Sequence, residues 1–399
     1  IKMPRVDSDF WWPLLATGDK GQDGGGMATG LSRVSLVTPV LRLAGRDFNA
    51  VEAVATARDK GWQVAVNARE AAGQLVWQPA GRGLLKLDLK RLSIPDEAPA
   101  SGRLAVDSPM LGENLPGLEV QVQDFVIGNK RFGKLEARAT AMQNLWRVDS
   151  LQLQNPHGVL KGQGEWRWRG EERARLDFEL NASDIGKLLE RLDYPNAVRN
   201  GTARLSGHLA WNGALIRLHY PSLAGEFRLN AEKGQFSKLD PGVGKLLGLL
   251  SLQSLPRRLS LDFRDIFSEG LAFDAIHGRF SVRQGILRTS EDLRIDGPAA
   301  RILMKGEADL KNETQNVEVT VQPEFGAIAA VGAAALINPL VGAAALLVNR
   351  VLQNPVGRIF AFQYRVTGPW ADPQVEKIGQ TLPEPPDFDQ PGRQPLDKK

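Results

Sequence analysis

The chain has no cysteine among its 399 residues, which excludes disulfides, thiolate metal sites and cysteine nucleophiles and fits an oxidising compartment. An excess of either charge is also missing. Fifty Lys and Arg stand against 46 Asp and Glu, with both signs interspersed, so no broad basic face for a nucleic acid stands out and none is expected as a partner. The opening "IKMPRVDSDFWWPLLATGDKGQDGGG" lacks a starting Met and the apolar run of a signal segment, and reads as the beginning of a fragment of a longer protein.

Catalytic signatures are equally scarce. No G-x-S-x-G elbow or H-E-x-x-H motif occurs, and acidic residues alternate with apolar ones as a solvated strand face requires. The stretch "PGVGKLL" resembles half a phosphate loop, but Leu239 replaces the first Gly and Leu246 the metal-binding Ser or Thr. The four histidines, His157, His208, His219 and His277, stand in separate segments without a second ligand at metal spacing. These absences argue against an enzyme, a metal and a cofactor. The "EWRWRG" segment has two readings: a stacking platform for single-stranded nucleic acid, or inward Trp166 and Trp168 with outward Arg167 and Arg169 on one strand; the second is favoured.

What the chain does have is alternation with a period of two. Leu85, Leu87 and Leu89 alternate with Lys86, Asp88 and Lys90, and Leu118, Val120 and Val122 with Glu119, Gln121 and Gln123. The pattern continues through Leu176, Phe178 and Leu180, through Leu259, Leu261 and Phe263, and through Val317, Val319 and Val321. Each such strand has one wet face. That predicts antiparallel sheet, because strands buried on both sides read as unbroken apolar runs. Turn signals such as "QPAGRG", "QNPHG" and "KNETQN" separate the strands and predict hairpins.

An internal repeat supports an extended sheet. "FNAVEAVATARDKGWQV" and "FGKLEARATAMQNLWRV" match in register at an offset of 84, the difference between positions 132 and 48. Helices are few and short. "SDIGKLLERL" predicts a helix near 183–192 capped by Ser183, and "DPGVGKLLGLLSLQSL" one near 241–255 with Asp240 as cap and Pro241 at the first helical position. Neither covers a sheet of this size, so its apolar face requires a second sheet or a ligand.

One stretch carries no charge over 24 residues, Gly326 to Asn349. It is rich in Ala and Gly, and Asn338 and Pro339 cut it in the middle, which predicts an apolar helical hairpin over 326–354 rather than a simple span. Its residues Val331, Leu336, Ile337, Leu340, Val341, Leu346 and Leu347 are expected either to contact a membrane or to plug the end of the sheet. A closing strand region is expected over 355–376, and a disordered Pro-rich tail over 377–399.

Several segments resemble a known family. "KLDPGVGKLLGLLSLQSLPRRLSLDFRDIFSEGLAFDAIHGRFSVRQG", "LRIDGPAARILMKGEADLKNETQNVEVTVQP", the Ala-Gly hairpin and "FQYRVTGPWADPQV" are similar to the C-terminal region of AsmA-like proteins, YhdP branch. "LPGLEVQVQDFVIGNKRFGKLEARA" and "LWRVDSLQLQNPHGVLKGQGEWRW" resemble the strand repeats of the same proteins. The resemblance implies a periplasmic, bridge-like carrier of phospholipids between inner and outer membranes of the Gram-negative envelope. It also implies an inner-membrane anchor outside these residues, and a C-terminal hairpin at the outer-membrane end.

The expected fold is therefore mainly β. An irregular segment, 1–30, precedes an elongated, twisted antiparallel sheet over 31–325, curled into an open groove with short helices. The groove lining is expected to include Leu85, Leu87, Leu89, Val120, Val122, Leu151 and Leu153. Further along it would include Trp166, Trp168, Leu176, Phe178, Leu180, Phe227 and Leu229, followed by Leu259, Leu261, Phe263, Val317, Val319 and Val321. The expected partners are phospholipids and the outer membrane or proteins at that end. The alternative is a non-transporting structural or adaptor protein with a closed β core and a protein-binding hairpin.

Overall fold

A computed structural model of the chain describes residues 2–7, 32–43, 46–58, 61–95, 115–168, 171–215, 218–237, 270–323 and 361–381. These divide into two compact units, Ile1–Ala231 with Phe280–Leu287, and Glu232–Arg279 with Arg288–Lys399. Both are built almost wholly of strands, as the period-two alternation dictates.

In the first unit, β1 (Val6–Asp7) pairs in parallel with β2 (Arg33–Leu43). An antiparallel meander then runs through β2, β3 (Arg46–Arg58), β4 (Gly61–Asn67), β5 (Ala71–Gln78) and β6 (Leu84–Ile94). A second meander runs through β7 (Gly117–Ile127), β8 (Lys130–Ala141), β9 (Leu145–Asn155), β10 (Gly158–Arg167), β11 (Arg173–Ala182) and β12 (Val198–Asn212). β13 (Ala224–Phe236) follows and lies in this unit as far as Ala231.

The two meanders meet in a way that pure hairpin connection does not predict. β6 and β7 are parallel, with Leu85, Leu87 and Leu89 facing Leu118, Val120 and Val122. A parallel neighbour needs a return connection of a dozen or more residues, and the chain from Pro95 to Pro116 provides that length.

The repeat read in the sequence is a repeat of pairing. Ala57 opposite Trp62 and Ala55 opposite Val64 in the β3–β4 hairpin correspond to Ala141 opposite Trp146 and Ala139 opposite Val148 in β8–β9.

The second unit carries β14 (Leu271–Arg283) as far as Arg279, β16 (Leu293–Asp296), β17 (Ala300–Asp309), β18 (Thr314–Pro323), β19 (Ala361–Pro369) and β20 (Gln374–Thr381). These pair in that order, all antiparallel. β15 (Ile286–Thr289) is divided between the units. Strand β20 continues to Thr381, past the expected boundary at 376, and Val6–Asp7 form a short strand inside the segment expected to be irregular.

The helix expected near 183–192 is α1 (Ile185–Arg191). Its cap is Asp184 rather than Ser183: the Asp184 carboxylate accepts the Lys187 amide at 2.9 Å, while the Ser183 amide donates to His157 O. Leu188, the buried residue of α1, meets Gly158 at the start of β10, where a Cβ would stand 3.2 Å from its methyl. The helix expected near 241–255 and the hairpin over 326–354 lie outside the described residues.

Candidate functional site

Alternation gives every strand of the first unit one apolar face, but only pairing register decides whether those faces join. They do. Taking direct partners strand by strand from β2 to β12 gives the row Val34, Ala55, Val64, Leu75, Leu87, Val120, Ala137, Leu151, Gly162, Phe178, Gly207. The neighbouring row is Leu36, Ala53, Val66, Gly73, Leu89, Val122, Leu135, Leu153, Leu160, Leu180, Leu205. A third, from β3 to β12, is Ala57, Trp62, Trp77, Leu85, Leu118, Ala139, Val148, Gly164, Leu176, Leu209. Not one of these positions is polar or charged. With strands about 4.8 Å apart, the ten steps from β2 to β12 make a band roughly 48 Å long measured across the strands. Rows two residues apart lie about 6.8 Å from each other, so three of them span roughly 14 Å.

The band is continuous only because bulges reset the alternation. In β9, Val148 and Leu151 are three residues apart yet both face the band, since the register slips there by one residue. In β6 and β7 the same slip brings Leu92 and Phe125 onto the side of Leu89 and Val122.

Burial differs along the band. Leu89, Val120, Val122 and Phe125 form a buried cluster, against which Val66, Leu87, Leu135 and Leu153 pack. Outside that cluster Leu75, Leu85 and Leu118 are half-buried, and from β9 onward so are Leu151, Leu153, Leu176, Phe178, Leu180, Leu205 and Leu209, and on β13 Phe227 and Leu229.

One margin is aromatic. Trp62 faces Trp77 across β4 and β5, Trp146 faces Trp166 across β9 and β10, and Trp211 flanks Ala174, the direct partner of Trp166. Trp168 meets Trp166 edge-on at 5.8 Å. Three of their indole N–H groups donate, each at 3.0 Å, to Pro116 O, Glu172 Oε1 and Ala214 O. Trp168 Nε1 is buried without a partner. The Arg82 guanidinium lies 5.9 Å from the Trp168 ring.

The opposite face is ionic and wet. Lys86 pairs with Glu119 at 3.0 Å, Arg147 with Asp149 at 2.6 Å and Arg204 with Glu179 at 2.6 Å. The Thr140 hydroxyl and the Arg147 guanidinium hold the Asp149 carboxyl below the usual carboxylate range, outweighing its desolvation. Such exposed pairs contribute about 0–1 kcal/mol each, so this face serves solubility and register more than stability.

In the second unit Val317, Val319 and Val321 also lie on an apolar face, with Ile295, Ile302 and Met304, but there each of these six residues is at most 3% exposed. Leu259, Leu261, Phe263 and the hairpin residues Val331, Leu336, Ile337, Leu340, Val341, Leu346 and Leu347 lie outside the described residues. Of the remaining sequence-predicted lining residues of the first unit, those of β6, β7, β9 and β11 fall on the band, Trp166 and Trp168 at its aromatic margin, and Phe227 and Leu229 on the following strand β13. Sequence reasoning missed the contributions of β2 to β5, of β8 and of β12. For β12 the signal was present, as Ala203, Leu205, Gly207, Leu209 and Trp211 alternate with Arg204, Ser206 and His208.

The histidines are dispersed: His157 lies in the β9–β10 turn, His208 in β12, His277 in β14, and His219 meets Ser222 Oγ at 2.8 Å. Among the described residues no cluster of His, Asp and Glu is placed to hold a metal ion, and no helix is long and apolar enough to cross a membrane.

The chain is 27% identical over 386 residues to the intermembrane phospholipid transporter YhdP of Escherichia coli (strain K12), an alignment that covers 95% of the chain and 30% of that relative. The chain thus spans about 30% of the relative's length. No solved structure matches it. A family model described as YhdP protein matches residues 1–375, and the chain belongs to that family.

Proposed function

We propose that the chain is a periplasmic segment of a lipid-transfer bridge, and that the apolar band of its first unit shields the acyl chains of phospholipids passing between the inner and outer membranes. The observation that carries this reading is the three uninterrupted apolar rows whose large side chains stay half-buried from β9 onward. A surface of that kind is incomplete without an apolar guest. At about 0.8 kcal/mol per methylene, exposing an acyl chain of about 15 methylenes to water costs on the order of 12 kcal/mol, so a path for it must be apolar throughout. Rows without polar partners hold a chain about equally at each strand, which leaves a level course for sliding.

Two contacts support a band that curls around its guest. Val66 and Leu153 pack against one cluster on β6 and β7, each from two strands away. Arg82 reaches Trp168 although β6 and β10 are four interstrand steps apart, about 19 Å on a flat sheet. Both suit a sheet bent toward its apolar side. The aromatic margin then lies where headgroups emerge, and the unpartnered Trp168 Nε1 is a donor that a phosphate oxygen would satisfy.

The hairpin over 326–354 is assigned to the outer-membrane end of the path, with Leu336→Asp or Leu346→Asp expected to impair delivery while the sheet stays folded. The closed-core alternative suits the second unit better, where Ile302 is 0% and Val319 1% exposed. There we assign Val317, Val319 and Val321 a supporting role.

Lipid extraction from the purified chain tests the reading. Leu151→Asp and Phe178→Asp are expected to lower co-purifying phospholipid about tenfold or more, because a charge on the band costs several kcal/mol against hydrocarbon. Gln152→Asp, on the other face, is expected to change nothing. Equal lipid content in all three would overturn the proposal.

A further inference from the structure

The ionic face of the first unit holds a concavity that the lipid path does not use. A shallow cavity of about 330 Å³ opens there, walled by Arg167, Arg173, Arg175, His208 and Glu165 over the small side chains Ala210 and Ala224. Its charge is unbalanced: three guanidinium groups stand against one carboxylate in the lining.

Pairing makes the imbalance acute. Elsewhere on this face opposite signs meet across neighbouring strands, as with Lys86 beside Glu119 and Glu179 beside Arg204, and within the cavity Glu165 stands opposite Arg175. At the end of β10, Arg167 stands directly opposite Arg173. Direct antiparallel partners hold their Cβ atoms about 5 Å apart, and like charges so placed are destabilising. Neighbouring carboxylates relieve little of this. Glu165 reaches Arg167 only at 3.5 Å and Asp177 is engaged by Arg175 at 3.1 Å, while no carboxylate among the described residues lies within ion-pair distance of Arg173.

We propose that this cavity is a phosphate-binding site, in which a phosphate oxyanion lies between Arg167 and Arg173 with Arg175 as a third donor. Guanidinium forks match the oxygens of a tetrahedral oxyanion and bind them in pairs, and an anion placed there turns a repulsive cross-strand pair into an attractive triad. The site faces away from the apolar band, so a lipid whose tails occupy the band does not present its headgroup here. The phosphate comes from solution or from a lipid surface lying against this face.

The test uses the full 399-residue chain. Its thermal midpoint is measured in inorganic phosphate and in chloride of equal ionic strength, and its binding is measured to phosphatidylglycerol vesicles with phosphatidylcholine vesicles as control. The parent is expected to gain stability in phosphate beyond chloride. Arg173→Gln is expected to weaken phosphate binding about tenfold or more, the loss of one hydrogen-bonded charge, while its midpoint without phosphate does not fall. Arg204→Gln, on the same face outside the cavity, is expected to bind as the parent does.

Response to inorganic phosphate assigns a soluble ligand. Response to anionic vesicles alone, abolished by Arg173→Gln, assigns a headgroup. No response to either, or a response that Arg173→Gln leaves intact while circular dichroism shows it folded, overturns the site.

Discussion

Val148 and Leu151 face the same side of β9 although three residues separate them: Val148 lies between Ala139 and Gly164, Leu151 between Ala137 and Gly162. One extra residue at Asp149–Ser150 absorbs the odd spacing. Without the bulge, strict alternation from Val148 would turn Leu151 and Leu153 onto the ionic face. Deleting Ser150 leaves Leu151 two residues after Val148 and both still on the band, whereas deleting Gln152, between Leu151 and Leu153, turns Leu153 onto the ionic face or forces the rest of β9 out of register. Deleting Gln152 is expected to lower the thermal midpoint by at least about 5 °C, and deleting Ser150 by clearly less. Thermal unfolding followed by circular dichroism compares the two; equal midpoints would show that the extra residue is not what keeps Val148 and Leu151 on one side.

Gly207 closes one row of the band opposite Phe178, and a Cβ there would stand 2.2 Å from Glu226 O and 2.5 Å from the Phe227 Cβ. Backbone cannot yield as a long side chain does. Gly207→Val is expected to cost about 1–3 kcal/mol through overpacking. Gly81, around which nothing lies within 4 Å, is the control for crowding: Gly81→Asn, a residue that tolerates its φ of +64°, is expected to cost far less. Denaturant midpoints of the two variants make the comparison.

In the second unit, burial alone would raise the Asp296 carboxyl, but hydrogen bonds from Arg294 at 2.6 Å and Arg301 at 2.7 Å outweigh it and hold the group below the usual carboxylate range. A carboxyl lowered by folding contributes stability above its unfolded value, about 3.9, and loses that contribution as pH falls through the lower folded value. Asp296→Asn is therefore expected to be less stable than the parent at pH 7, by about 1.5 kcal/mol, and to converge with it in strong acid. Midpoints across the acid range report this; a constant gap at every pH would mean the carboxyl's charge is not what matters.

Much of the band was legible in the sequence because a period of two leaves its mark wherever large apolar and charged residues alternate, as in Leu85 to Leu89 or Leu176 to Leu180. What alternation does not carry is the partner. The parallel meeting of β6 and β7 depends on a long return connection whose residues show no period, and the slips at Leu92, Phe125 and Leu151 break parity at the places where the rows must be kept continuous. β3 was harder for a different reason. Its contribution, Ala53, Ala55 and Ala57, is too small to stand out, and only the facing Val66, Val64 and Trp62 reveal which side it takes. The facing arginines at 167 and 173 were equally hidden, since their opposition is a matter of register alone.

Site-specific photo-cross-linking in cells compares the two sides of one strand most directly, with the probe at Phe178 on the band or at the adjacent Glu179 on the ionic face. Phospholipid adducts at 178 with few or none at 179 are predicted, since neighbouring strand residues point to opposite sides. Equal labelling at both positions, or none at 178, would contradict a band that carries acyl chains.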